Sequence, residues 1–214
     1  MTANTYRKGN ILFYQGNRPT GVYFICRGRI KLFKESPSGR SQIVRIVDAP
    51  NLLGDRSFFA DRLYACTGQA MEDSTICFLE KNHFWTIFGQ DQEMLRLLLQ
   101  RFARELGRAE EQMHCLTVCS VNARLAAILL RASQALGGKK FILKETRTEL
   151  AQIVGTTPEG VSRALAEFRD KGFIEIEGSQ GRLLDEPHLR QATCPHDLQD
   201  GIANFVLAEN QVVP

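Results

Sequence analysis

Glu159, Ser162 and Arg163 lie within one turn of each other if residues 158–170 are helical, and together they carry the chemistry of base recognition. A carboxylate such as Glu159 can accept a hydrogen bond from the N4 amino group of cytosine. A guanidinium such as Arg163 can bond the O6 and N7 edge of guanine with two parallel hydrogen bonds. Ser162 can serve either a base or a phosphate. Thr156 and Thr157 precede them, where a helix start leaves amides free to meet backbone phosphates. Arg169, farther along, completes the candidate DNA-contacting set.

The elements that must position these side chains are legible around them. Thr146 can cap a first helix, and Glu149, three residues on, completes a capping box. Leu150, Ile153 and Val154 give that helix an apolar face, and Gly155 with Thr156 forms a turn. Thr157 can cap a second helix, with Pro158 at its first position, where the missing amide proton costs nothing. Val161, Leu165 and Phe168 point to one side, leaving Glu159, Ser162, Arg163, Arg169 and Lys171 outside. This is the helix-turn-helix layout, in which the second helix enters the major groove by its N-terminal residues. An ordinary helical hairpin is the plain alternative. Gly160 is expected to weaken the second helix by about 1 kcal/mol against alanine.

Flanking segments extend the unit. Asn122 to Leu136 reads as a helix with Leu125, Ile128, Leu129, Ala132 and Leu136 on its apolar side, ended by Gly137 and Gly138. Phe141–Leu143 reads as a short strand. Residues 173–176 and 182–184 read as a hairpin whose turn, near Ser179, could touch phosphates. The result is a winged helix-turn-helix.

Upstream, Leu95, Leu99, Phe102, Leu106, Ala109, Met113 and Leu116 alternate four- and three-residue steps, a heptad seam about three repeats long. The expected use is a two-stranded dimer, because one recognition helix reads few base pairs and a two-fold dimer reads two half-sites. A single helix lying across the N-terminal part is the alternative, and Leu97 and Leu98 are expected to pack that way.

Up to about residue 88 the chain reads as short strands rich in β-branched and aromatic residues, punctuated by glycines. Seven or eight such strands suggest an antiparallel roll or barrel able to hold a small ligand. The 214 residues are 43% hydrophobic and 24% charged, with mean hydropathy −0.20, as expected of a soluble globular chain. No leader peptide and no membrane-spanning run is read, so a cytoplasmic location is expected. The net charge of +3 is weak support for DNA binding, so specificity must rest on a few placed side chains.

The six cysteines, at 26, 66, 77, 115, 119 and 194, form no CxxC pair, and with the four histidines they give no zinc pattern. Cys26, Cys66 and Cys77 are expected to be buried small hydrophobes, and Cys115 and Cys119 lie one helical turn apart. No nucleophile, base and carboxylate cluster and no phosphate-cradling glycine loop is present, so an enzyme is not expected. A small-molecule-binding or protein-interaction module without specific DNA binding is the rival reading.

In this order (roll, long helix, winged helix-turn-helix) the chain resembles the Crp/Fnr family of bacterial transcription regulators. KGNILFYQGNRPTGVYFICRGRIKLF is similar to the family's opening strands, and LAQIVGTTPEGVSRALAEFRDKGFIEIEG to its DNA-binding signature. The resemblance implies an α+β chain: a jelly-roll sensor domain of the cyclic-nucleotide-binding kind over 1–89 and a dimerisation helix over 90–118. A winged helix-turn-helix domain over 119–190 and a tail over 191–214 follow. It also implies double-stranded DNA, a second copy and RNA polymerase as partners. Glu-x-x-Ser-Arg at 159–163 resembles the Fnr branch and implies a palindrome with TTGAT-like half-sites.

The same resemblance places a possible effector site at Gly54, Asp55, Arg56, Arg62 and Tyr64. Leu63 falls where cyclic-nucleotide binders carry the phosphate-binding arginine, and Arg62 is one position off, on the opposite strand face. Cyclic AMP is therefore not expected, since a phosphate buried without a cation is costly. No cysteine precedes Cys26, so the iron-sulfur cluster of Fnr itself is not expected either. Haem stays open, with no histidine convincingly placed. Arg56, Arg62 and Tyr64 could instead meet a small acidic metabolite such as 2-oxoglutarate, which a nitrogen-control branch of the family binds. A regulator whose activity follows its abundance is the equal alternative.

Overall fold

Alternating apolar residues build the N-terminal unit from short antiparallel strands. These are β1 (Thr2–Tyr6), β2 (Ile11–Phe13), β3 (Gly21–Arg27), β4 (Arg29–Glu35), β5 (Ser41–Asp48), β6 (Asn51–Leu53), β7 (Thr67–Ala70) and β8 (Ser74–Glu80). The computed structural model describes residues 2–88 and 91–193. Two four-stranded sheets, ordered β1-β8-β3-β6 and β2-β7-β4-β5, form the jelly roll. In β4, Ile30 and Leu32 are buried while Lys31 and Phe33, which alternate with them, are less so, the period-two signature of a strand with one face on a core. Ile25, Val47, Leu53 and Ile76 join them, with Phe13 and Tyr64.

Two short helices interrupt the strands: α1 (Asp55–Phe59) and α2 (Lys81–Phe88). Reading strands continuously to residue 88 missed both. The adjacent aromatics Phe84 and Trp85 look strand-like, but Phe84 instead packs with Val22, Phe58, Leu79 and Leu98 in a second cluster. Tyr64 to Cys66 precede β7. Tyr64 holds its place by backbone hydrogen bonds with Gly16 and Asn17.

Helix α3 (Gln92–Val118) runs 27 residues without a break. The chain divides into two compact units between Glu105 and Leu106, so α3 belongs to both. In the second unit, α4 (Val121–Ala135) starts at Ser120, whose side chain accepts from the Ala123 amide. Its residues Ala123 to Leu130 are all buried, making it the central helix of this unit. Around it lie β9 (Lys140–Ile142), α5 (Arg147–Val154), α6 (Pro158–Asp170), β10 (Ile174–Glu177), β11 (Gln180–Leu183) and α7 (Glu186–Gln191). The three strands form an antiparallel sheet ordered β10-β11-β9. Helix α7 was not expected from the polar residues after Pro187; Asp185 caps it by accepting from the His188 amide. Cys194, His196 and the rest of the tail from residue 194 lie outside the described residues. Among the described residues, no helix is long and apolar enough to cross a membrane.

Candidate nucleic-acid interface

The two helices meet as the sequence predicts. The Thr146 hydroxyl accepts from the Glu149 amide, and the Glu149 carboxylate accepts from the Thr146 amide, closing the capping box. Gly155 ends α5 in the left-handed region at φ 70°, which turns the chain sharply enough for α6 to begin three residues later. Thr157 caps α6 by accepting from the Gly160 amide at 3.2 Å, with Pro158 in the first turn. Val161, Ala164, Leu165 and Phe168 are buried beneath.

The opposite face of α6 carries Glu159, Ser162, Arg163 and Arg169, all exposed; Thr157 is exposed and Thr156 half-buried. The Glu159 carboxyl is held below the ordinary range by its own backbone amide and by the Thr157 hydroxyl, so it is an acceptor at neutral pH. The Ser162 hydroxyl donates to the Pro158 carbonyl at 2.9 Å, leaving its oxygen free to accept. Arg163 has no hydrogen bond or ion pair among the described residues. Arg169 pairs with Asp170 at 3.2 Å, an exposed pair of little energetic consequence. Gly160 does more than loosen the helix. A Cβ there would sit 2.5 Å from the Thr156 hydroxyl oxygen, so glycine makes room for the turn residue.

Three supports escaped sequence reasoning. The buried Arg124 guanidinium donates to the Val154 carbonyl at 2.8 Å and to the carbonyls of Cys115 and Leu116 at 3.2 and 3.3 Å, and also bonds that of Cys119. One side chain thus closes the C-terminal ends of α3 and α5. Its signal was an arginine between Ala123 and Leu125, directly before the apolar run 125–130. Arg147 donates to the Gly178 carbonyl at 3.0 Å, fixing the tip of the β10–β11 wing to the start of α5. Glu167 accepts from Asn122 at 2.8 Å and Lys171 at 2.6 Å, which ties α6 to α4 and draws its carboxyl below the usual range.

Along α3, Leu99, Leu106 and Met113 are 70%, 61% and 68% exposed, and Ala109 is exposed too. Leu95, Phe102 and Leu116 are half-buried, Phe102 with its ring against Phe59. Leu98 is buried in the roll's second cluster, as expected.

In the roll, Gly54, Asp55 and Tyr64 come together: a Cβ on Gly54 would approach the Tyr64 ring to 3.1 Å. Tyr64 stacks on Phe13 at 4.2 Å, and burial pushes its phenol well up. Asp55 is buried and ion-paired with Arg101 of α3 at 3.1 Å. Burial pushes its carboxyl up, against the pull of Arg101. Arg101 also bonds Glu105 at 2.9 Å and the Leu52 carbonyl at 3.0 Å, and Arg45 grips Glu105 with two bonds of 2.8 and 2.6 Å. Burial alone would raise Glu105, but Arg45 and Arg101 outweigh it and hold the carboxyl below its ordinary range. Arg56 and Arg62 stay exposed, outside this cluster. Arg101 and Glu105 were missed because charges flanking a heptad seam read as solvated, and Arg45 because its partner lies 60 residues away in sequence. Among the described residues, no group of three or more His, Cys, Asp or Glu could hold a metal ion.

Comparison with known proteins agrees with this geometry. Residues 3–91 match the cyclic nucleotide-binding domain, and residues 123–192 match the Crp-like helix-turn-helix domain. A probable transcriptional activator of Rhizobium leguminosarum bv. viciae is 33% identical over 168 residues, covering 76% of this chain and 69% of that protein. The CRP-like cAMP-activated global transcriptional regulator of Mycobacterium tuberculosis is 25% identical over 189 residues, 86% of this chain and 84% of its own. The solved structure of FixK2 from Bradyrhizobium japonicum shares the fold with a TM-score of 0.78 at 24% identity, over 90% of this chain and 97% of that one. An exposed polar face on a capped helix-turn-helix, following a jelly roll and a long helix in the sequence, therefore has its explanation: the chain belongs to the Crp/Fnr family of DNA-binding transcription regulators.

Proposed function

We propose that the protein acts as a homodimer paired along α3 and reads a palindrome with TTGAT-like half-sites, one α6 helix per half. The observation that carries this is the stripe of Leu99, Leu106 and Met113, exposed at seven-residue spacing on the helix that runs into the DNA-binding unit. Burying each such side chain against a copy contributes about 1.5–3 kcal/mol. Ala109 between them lets two helices approach closely, and Leu95, Phe102 and Leu116 border the seam.

In this reading Arg163 bonds a guanine edge, Glu159 accepts from a cytosine amino group, and Ser162 accepts from a base or sits by a phosphate. Thr156, Thr157 and Arg169 meet the phosphates and set the register. RNA polymerase is the partner that turns binding into regulation. Any signal enters at the roll and acts through α3, which is continuous between the units. Asp55, Arg101, Arg45 and Glu105 of the roll are already ion-paired with one another, which supports a regulator that needs no cyclic nucleotide. An acidic effector would have to compete with Asp55 and Glu105 for Arg101 and Arg45.

Sedimentation of the wild type and of Leu106→Glu tests the dimer. The wild type should sediment as a dimer, and the variant as a folded monomer that has lost its preference for a palindrome over a single half-site. A wild-type monomer that still prefers the palindrome would overturn the proposal.

A further inference from the structure

Cys26 was expected to be buried, yet it is exposed near the end of β3, where pairing with β8 shifts register between Ile25 and Arg27. A bulge of this kind turns a side chain out of the strand's regular alternation. Phe24 faces Cys77 across the two strands, and Cys26, two residues on, lies diagonal to it. The two Sγ atoms are 3.0 Å apart, closer than non-bonded sulfurs rest in ordinary contact, while Cys77 itself is buried. One accessible thiol therefore stands against one covered thiol on neighbouring strands, 51 residues apart in the chain. Cys66 and Cys115, the other free thiols among the described residues, are both buried.

We propose that Cys26 and Cys77 are a redox modification site that reacts with hydroperoxides to form a reversible intrachain disulfide. The Cys26 sulfur attacks the distal oxygen of the peroxide; the S–O bond forms, the O–O bond breaks, and water or an alcohol leaves. Cys26 is then a sulfenic acid. The Cys77 sulfur attacks it, the S–S bond forms, and water departs with the Cys77 proton. Two thiols and one hydroperoxide give one disulfide, one water and one molecule of water or alcohol. A disulfide measures about 2.05 Å, so the sulfurs need to close by about 1 Å. The product staples β3 to β8, the strand that leads directly into α2.

The test treats the pre-reduced, folded, full-length protein with hydrogen peroxide, blocks remaining thiols, and maps peptides without reduction. The expected product links Cys26 to Cys77 within one chain, lacks two hydrogens, reverts with dithiothreitol, and has a higher Tm than the reduced form. In Cys77→Ser, dimedone should trap a sulfenic acid at Cys26; in Cys26→Ser, Cys77 should stay unmodified. Wild-type Cys26 oxidised to the sulfinic acid with Cys77 still free would overturn the proposal. So would Cys77 reacting as fast in Cys26→Ser as in the wild type, or a link found only between chains.

Discussion

In the roll, Arg45, Arg101, Asp55 and Glu105 spend their charges on one another, Asp55 and Arg101 largely away from water and Arg45 and Glu105 partly so. On α6, Glu159 and Arg163 stand four residues apart in water with no ion pair among the described residues. The first arrangement bears a desolvation cost that its close ion pairs offset. The second bears no such cost and leaves its hydrogen-bonding capacity for a partner. In the proposed reading it is this unspent charge that meets DNA. The second unit also contains an exception, Arg124, a buried cation spent on backbone carbonyls.

That exception is the strongest place to break the comparison. Arg124→Met would leave the carbonyls at the ends of α3 and α5 without their donor, and buried unmade hydrogen bonds cost roughly 1–3 kcal/mol each. Chemical denaturation should show a loss of about 3 kcal/mol. A neutral result would mean that Arg124 fills space rather than closing the helix ends.

Glu105→Gln asks the same of the roll. Removing one partner from a partly buried cluster should cost about 2 kcal/mol at neutral pH, below the fully buried case because Arg45 and Glu105 are partly solvated. The sign with pH follows from the depressed carboxyl of Glu105. Its stabilisation is complete above the unfolded carboxylate pKa and is lost as pH falls through the lower folded value. The gap between wild type and variant in denaturation midpoint should therefore narrow on acidification. A gap that widened would mean another group dominates.

Thr146→Ala should cost about 1 kcal/mol through the lost cap, read as a lower Tm. Gly160→Ala sharpens the smallest effect: helix propensity favours alanine by about 1 kcal/mol, and displacing the Thr156 hydroxyl opposes it. The expected Tm change is therefore close to zero rather than the rise that propensity alone predicts.

These sites also show where sequence reading succeeded. The capping box, the Gly155 turn and the spacing of Val161, Leu165 and Phe168 are local signals, and local hydrogen bonds and periodicity carried them through to the structure. Arg101 and Glu105 failed the same treatment. Their partners Arg45 and Asp55 lie some fifty residues away, and an i,i+4 charge pair on a helix looks the same whether solvated or buried. Cys26 failed because apolar, strand-like surroundings suggest burial, and a bulge is invisible in the local sequence. Helix α2 failed because aromatic residues suit a strand as well as a helix packed on a sheet.

The central claim is that the unpaired Arg163 reads a base. Fluorescence anisotropy of reduced protein on a TTGAT-type palindrome and on a scrambled duplex, at two salt concentrations, tests it directly. The wild type should prefer the palindrome. Arg163→Ala should lose about 1–3 kcal/mol of binding on the palindrome alone, with the salt dependence on the scrambled duplex almost unchanged. An equal loss on both duplexes would contradict the account and make Arg163 a phosphate contact.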